Sequence, residues 1–367
     1  PANPDGMVLT VAIADVAAYV RPGSALDREA LKRGNSVYFP DRVVPMLPEA
    51  LSNDLCSLRP KEDRAVMAVH LWFDREGVKR GHRFVRGLMR SAARLTYEQV
   101  QGAIEGRTDD ATDTLLDGVI KPLYGVFRAL LIDRERRGTL ELDVPERKAV
   151  LDAEGRVQAI ERRQRLDSHR VIEELMIAAN VAAAETLERV RQPCMYRIHD
   201  SPSPEKIESV RGFLDELGYR LAKGQVVKPI QFTQILSQAQ GRPEAGLISE
   251  VILRTQSLAI YSPENIGHFG LALRRYAHFT SPIRRYADLL VHRGLIAGLG
   301  LGEGGLDPAR PEDFVALGEA ISACERRAVS AERDAADRYV ASFLAARVGD
   351  SFPGRINGVT RFGLFVT

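Results

Sequence analysis

The sequence predicts an α+β fold, and three observations point to it. Strand-like alternation is concentrated in the first hundred residues, clearest where Met67, Val69, Leu71 and Phe73 fall on one face. Apolar runs at helical spacing fill the second half, above all around Val171 to Leu187. A hydrophobic content of 45% with 27% charged residues over 367 positions suffices to bury a core and excludes a disordered chain.

In chain order, residues 7–20 are apolar and β-rich, a strand running into a turn at Pro22-Gly23. Residues 26–33 read as a short helix. Residues 37–47 form a proline-punctuated loop that carries Tyr38 and Phe39. The turn Asp74-Arg75-Glu76-Gly77 joins two strands into a β-hairpin over 65–90, and Asp152-Ala153-Glu154-Gly155 repeats that logic over 149–162. Helices are predicted at 97–104, 112–137, 168–190, 204–217, 231–240 and 245–259. A glycine-rich loop at 298–305 separates a further helix beginning at Pro282 from one near 311–347. Residues 352–367 alternate and are broken by turns. No internal repeat is present.

The net charge of +2 gives no global basic field, but positive charge is locally dense. Between residues 79 and 94 stand Lys79, Arg80, Arg83, Arg86, Arg90 and Arg94 with no carboxylate; between 274 and 293 stand five arginines against Asp288 alone. Such stripes fit a channel that tracks phosphates. The first stripe fits one solvated face of a strand equally well. Three widely spaced cysteines, Cys56, Cys194 and Cys324, form neither a disulfide framework nor a zinc motif, so a reducing, cytoplasmic setting is expected. No apolar run is long enough for a membrane span, and the N-terminus lacks a signal-peptide pattern.

The most informative stretch is HFGLALRRYAHFTSPIRRYADLLVHRGL, residues 268–295, with eight cationic or imidazole side chains. A polar run from His278 to Tyr286 precedes an apolar helical pattern. Thr280 or Ser281 reads as an N-cap and Pro282 as the first helical residue. Free N–H groups there, flanked by arginine forks, would bind an anion, and phosphate suits them.

This run resembles the signature of the RNB-domain exoribonucleases, the ribonuclease II and ribonuclease R family. The blocks IADVAAYV, NSVYFPDRVVPMLPEALSNDLCSLRP, RSAARLTYEQV, HRVIEELMIAANVAAAE, YRIHDSP and AERDAADRYV are similar to family blocks and follow in the family's order. The wording SVYFPDRVVPMLPE is closer to the ribonuclease R branch. The resemblance implies an RNB domain over 1–348 with a mixed or antiparallel sheet and a helix-rich second half. It also implies the opening strands of an OB-fold of the S-one RNA-binding type over 349–367. The expected activity is processive 3′→5′ hydrolysis of single-stranded RNA, and of structured RNA with a 3′ overhang, to nucleoside 5′-monophosphates. The expected partner is the 3′ end of single-stranded RNA, bound by a monomer. A non-catalytic RNA-binding protein on the same scaffold is the alternative, and a DNA exonuclease indifferent to the 2′-OH a weaker one.

Metal-assisted phosphodiester hydrolysis needs clustered carboxylates, with Mg²⁺ as the expected ion. The family places aspartates immediately before the IADV strand, where this chain shows only Asp5. The expectation is therefore a partial chain, inactive as it stands, with no metal ligand of its own. The Asp109, Asp110, Asp113 and Asp117 cluster reads as a capped helix start and not as a substitute. Asp15, in an apolar strand, reads as structural or as a group near the active site.

By resemblance, Arg284 is the catalytic residue that reaches the scissile phosphate, a role suited to a fixed guanidinium in a water-poor site. Tyr38 is expected to stack on the terminal base. Tyr97 matches a position near the RNA path, although helix packing accounts for it equally well. Either Glu173 or Glu174 is expected to accept from a ribose 2′-OH. His278, Thr280, Ser281 and Arg285 complete the expected RNA-binding set. For His278 and His268, structural hydrogen bonding is the favoured role, and Glu332 reads as a surface ion-pair residue.

Overall fold

A computed structural model describes residues 6–142, 147–162, 164–224, 226–307, 309, 312–345, 347–354 and 356–366. Asp5 lies outside the described residues. The sheet that opens the chain is antiparallel, in the order β1 (Gly6–Ala14), β4 (Asp63–Asp74), β5 (Lys79–Arg90). Between its first two strands come α1 (Ala25–Arg33) and the two-residue ribbon β2 (Val37–Tyr38) and β3 (Val43–Val44). The predicted alternation sets the register: Leu9 opposes Leu71 and Val11 opposes Val69, and Met67, Val69, Leu71 and Phe73 are buried. Gly77 closes the β4–β5 hairpin at φ +76°, where a side chain would lie 2.1 Å from the Ala129 carbonyl oxygen, so only glycine fits.

Helices α2 (Tyr97–Ile104), α3 (Lys121–Arg137) and α4 (Asp167–Arg189) follow, with the hairpin β6 (Arg147–Leu151) and β7 (Val157–Arg162) before α4. Against the sheet α4 buries Val171, Leu175, Ala179, Ala183 and Leu187, the valine and the two leucines each contributing about 1.5–3 kcal/mol. The short strand β8 (Tyr196–Ile198) pairs with β9 (Ile260–Ser262). Between them, α5 (Pro204–Glu216), α6 (Pro229–Ala239) and α7 (Ala245–Thr255) enclose a second apolar core built on Leu214, Phe232, Ile248 and Ile252.

Helix α8 (Tyr286–Leu299) runs through the main core and is buried from Tyr286 to Ile296. The long α9 (Phe314–Ala345) lies over β9 and α1, and β10 (Ile356–Thr360) and β11 (Gly363–Val366) form an antiparallel hairpin at the end. All strand pairings among the described residues are antiparallel, which settles the mixed-or-antiparallel expectation.

One prediction fails here. Helix α8 begins four residues beyond Pro282, with Arg285 at the N-cap in extended conformation (φ −141°, ψ 123°) and no side-chain cap. Thr280 and Ser281 are not the cap. Residues 282–284 are a turn, and the Ser281 amide is taken by the buried Asp288 carboxylate at 2.7 Å. The anion expected at this helix start is thus supplied by the chain itself.

Candidate active site

A backbone zipper joins two distant segments. The Ser36 amide donates to the Arg284 carbonyl at 3.0 Å, the Tyr286 amide donates to the Gly34 carbonyl at 2.9 Å, and Asn35 bridges Arg285 in antiparallel fashion. Gly34, at φ +72°, ends α1 and lies so close to α9 that a side chain would meet Cys324 Cβ at 2.5 Å. Two residues past the zipper, the Tyr38 amide donates to Glu332 Oε1 of α9 at 2.7 Å. The phenol ring of Tyr38 is left 47% exposed beside the exposed Arg284.

Tyr38 and Arg284 both line two adjoining cavities. The first, about 210 Å³, is also lined by Asn35, Tyr261, Arg285, Glu325 and Glu332. The second, about 380 Å³, adds Ser52, Cys56, Thr280 and Ser281. On the residues lining these cavities, two buried polar atoms lack a partner among the described residues: Asn35 Oδ1 in the first and Thr280 Oγ1 in the second. Burial pushes the Cys56 thiol up to about 12, so it stays protonated at neutral pH.

The two adjacent arginines differ completely. Arg285 makes a two-pronged ion pair with Asp288, Nε to Oδ2 at 2.7 Å and Nη2 to Oδ1 at 2.8 Å. Burial opposes its charge, but Asp288 outweighs that and holds its pKa above the ordinary value. The Arg284 guanidinium has neither hydrogen bond nor ion pair among the described residues. It is a free cation facing both cavities.

Behind them lies a chain of rings. Tyr261 Oη and His278 Nδ1 share a hydrogen bond at 2.9 Å, and Arg197 lies 4.6 Å over the Tyr261 ring while pairing with Glu325 at 2.6 Å. Burial, aided by Arg285 and Arg197, holds His278 well below its ordinary pKa. His199 accepts from the Gly270 amide at Nδ1 and donates from Nε2 to the Ser257 carbonyl, both at 2.9 Å. Its neighbour His268 is depressed by burial to about 3. These histidines are neutral and structural.

Of the nine residues singled out by sequence, Tyr38, Thr280, Ser281, Arg284 and Arg285 line the cavities, and His278 stands behind them. Tyr97, Glu173 and Glu174 line neither. Tyr97 stacks on His169 at 4.0 Å. Glu173 pairs with Arg165 at 2.6 Å, while the buried Glu174 pairs with Arg134 at 2.5 Å, and burial raises its pKa in spite of that arginine. Arg285 has Nε and Nη2 engaged by Asp288. One expectation needs correction. Glu332 is not a surface ion-pair residue but the group that fastens Tyr38.

Sequence reasoning also missed Asn35, Glu325 and Asp288. Asn35 and Glu325 meet partners far off in the chain, Arg285 and Arg197, and spacing alone does not show that Asp288 turns back onto Ser281 and Arg285. The basic stripe is largely neutralised within the chain: Lys79 pairs with Glu185, Arg80 with Asp74, Arg86 with the buried Asp15 and Arg90 with Asp63. Asp15 is therefore structural. Among the described residues no group of three or more His, Cys, Asp or Glu is placed to hold a metal ion. No helix among them is long and apolar enough to cross a membrane.

An antiparallel sheet backed by a buried helix carries an arginine turn beside an exposed tyrosine, and the same chain matches the pattern of a known nuclease domain. The chain belongs to that family: the RNB domain pattern matches residues 1–300. It is 44% identical to ribonuclease R of Escherichia coli (strain K12) over 370 residues, 98% of this chain and 46% of that protein. It is 41% identical to ribonuclease R of Aquifex aeolicus, over 99% of this chain and 52% of the relative. The chain thus spans about half the length of the curated relatives it matches. RNase R of Mycoplasma genitalium, solved with ribose-methylated single-stranded RNA, superposes with a TM-score of 0.91 at 31% identity, over all of this chain and 58% of that one. Yeast Ssd1, described as a pseudonuclease, shares the fold, with a TM-score of 0.72 at 21% identity over 91% of this chain and 41% of that one.

Proposed function

We propose that this chain holds the RNA-binding part of a processive 3′→5′ exoribonuclease. Its substrate would be single-stranded RNA, or structured RNA with a 3′ overhang, released as nucleoside 5′-monophosphates. The observation that carries this reading is the pairing of an unpartnered Arg284 with an exposed Tyr38 across two adjoining cavities. A terminal base stacks on the Tyr38 ring. The Arg284 fork, unpaired among the described residues, then takes the scissile phosphate and stabilises the charge that develops on its oxygens. The buried pair of Arg285 and Asp288 adds no net charge, which leaves Arg284 as the unpaired cation on the cavity walls. Farther out, the Tyr97 and Glu173 region on α2 and α4 offers a ring and a carboxylate to upstream nucleotides.

A magnesium ion, when bound, would activate the attacking water and share the phosphate charge. Among the described residues no group of three or more His, Cys, Asp or Glu composes such a site. The closing hairpin is read as the opening of an OB-fold beyond an RNB domain ending near residue 348. The protein is read as a cytoplasmic monomer.

The alternative, an RNA-binding protein that does not cut, draws on the lack of a carboxylate cluster among the described residues. Single-stranded RNA labelled at either end separates the two. The full-length protein with Mg²⁺ should shorten 5′-labelled RNA progressively and release label from 3′-labelled RNA at once, with EDTA stopping both. Tight binding without any shortening would favour the non-catalytic reading.

A further inference from the structure

Asp288 is fully buried in the first turn of α8. Its Oδ1 accepts from the Ser281 amide at 2.7 Å and from Arg285 Nη2 at 2.8 Å, and its Oδ2 from Arg285 Nε at 2.7 Å. One carboxylate therefore holds both ends of the segment 281–285. Inside that segment the amides of Arg284 and Arg285 donate to the Ser281 carbonyl at 3.1 and 3.0 Å. The Arg284 carbonyl in turn accepts the Ser36 amide, which starts the zipper leading to Tyr38.

The backbone of Arg284 is thus clamped on both sides while its side chain is free. No side-chain contact aims the guanidinium, so its direction depends on the turn alone. A turn relaxed by one lost anchor would move the fork by an ångström or so, and misplacement of that size costs about 10²-fold in rate.

We propose that Asp288 is a positioning residue of the exoribonuclease. It touches no substrate. It directs Arg284 at the phosphate by tying the Ser281 amide and the Arg285 fork to a fixed helix. This inference rests on the functional reading above and deepens it.

The test is a double-mutant cycle in the full-length protein, read by single-turnover cleavage of labelled single-stranded RNA and by RNA affinity. Asp288→Asn should slow cleavage about 10- to 100-fold while RNA affinity stays within about threefold. In an Arg284→Ala background, Asp288→Asn should add little, because the residue it acts through is gone. Cleavage by Asp288→Asn within twofold of wild type overturns the proposal. So does an equal loss in both backgrounds, the mark of a general structural role. Should Asp288→Asn fail to fold, Arg285→Lys keeps the Ser281 anchor, removes the fork, and should still slow cleavage about fivefold or more. Wild-type cleavage by a folded Arg285→Lys would again overturn it. If the wild-type protein never shortens RNA, the functional reading itself falls and takes this inference with it.

Discussion

At Arg284 the chain leaves an exposed guanidinium with no ion pair among the described residues, while the next residue is neutralised in a buried pair. The family signature pointed to both arginines. Which of them keeps its charge for a ligand depends on Asp288, three positions on, and spacing alone does not decide that. Arg284→Ala should reduce cleavage by about 10²–10³-fold, with RNA affinity nearly kept, in parallel single-turnover and binding assays. Equal loss of both would make Arg284 a general phosphate clamp. Tyr38→Ala should weaken RNA binding by about 1–3 kcal/mol and Tyr38→Phe far less, since the ring and not the hydroxyl does the stacking. Titration of fluorescent RNA checks this, and a matching loss in Tyr38→Phe would contradict it.

Helices and long hairpins were legible because their signals are local. The turns at Gly77 and Gly155, the length of α4 and the stop at Gly218 all lie within a few residues of what they control. The start of α8 was not. Pro282 suits a turn as well as a first helical position. The zipper to residues 34–36 holds Arg285 in extended backbone, and nothing near Pro282 announces a partner some 250 residues away. The ribbon β8–β9 was missed for the same reason, being three residues long and defined by tertiary pairing, and β2–β3 is only two residues long on each side.

The packing of these elements can be tested directly. Asn180 of α4 donates to Tyr276 Oη at 3.0 Å and accepts the Phe279 amide at 2.8 Å, tying α4 to the segment before the arginine turn. Asn180→Ala leaves both groups buried without a partner and should cost about 1–3 kcal/mol in denaturant unfolding. Gly318 lets α9 lie on β9, since a side chain there would come 2.8 Å from the Tyr261 carbonyl oxygen. Gly318→Ala should destabilise by about 1–3 kcal/mol and shift α9, and with it the Glu332 hold on Tyr38.

Across the whole molecule, the α+β class and the single-chain order of elements followed from pattern, but the second core of α5 to α7 did not. Apolar periodicity shows that a helix has a buried face without saying which core receives it. The basic stripe on β5 misled in the same way, since its partners Asp15 and Glu185 come from other elements. The histidines give the molecule a pH dependence. Burial depresses His82 to about 4 and His268 to about 3 from an ordinary 6.5, and lowers His199 and His278 as well. The unfolded chain binds protons near pH 6.5 that the folded chain refuses. Stability is therefore full above that pH and is lost as pH falls toward 4. Thermal unfolding between pH 7.5 and 4.5 should show a falling midpoint, with a shallower fall in His268→Gln. A flat or rising midpoint would contradict the neutral-histidine account.

The central claim is that Tyr38 and Arg284 receive the 3′ end of an RNA strand. The most direct measurement uses full-length Arg284→Ala protein, slow enough to keep its substrate, with single-stranded RNA carrying one 4-thiouridine at either the 3′ or the 5′ end. After irradiation, the 3′-terminal probe should crosslink within residues 34–38 or 280–285, and the 5′ probe should not. Crosslinks from the 5′ end at those residues, or none there from either end, would contradict the assignment.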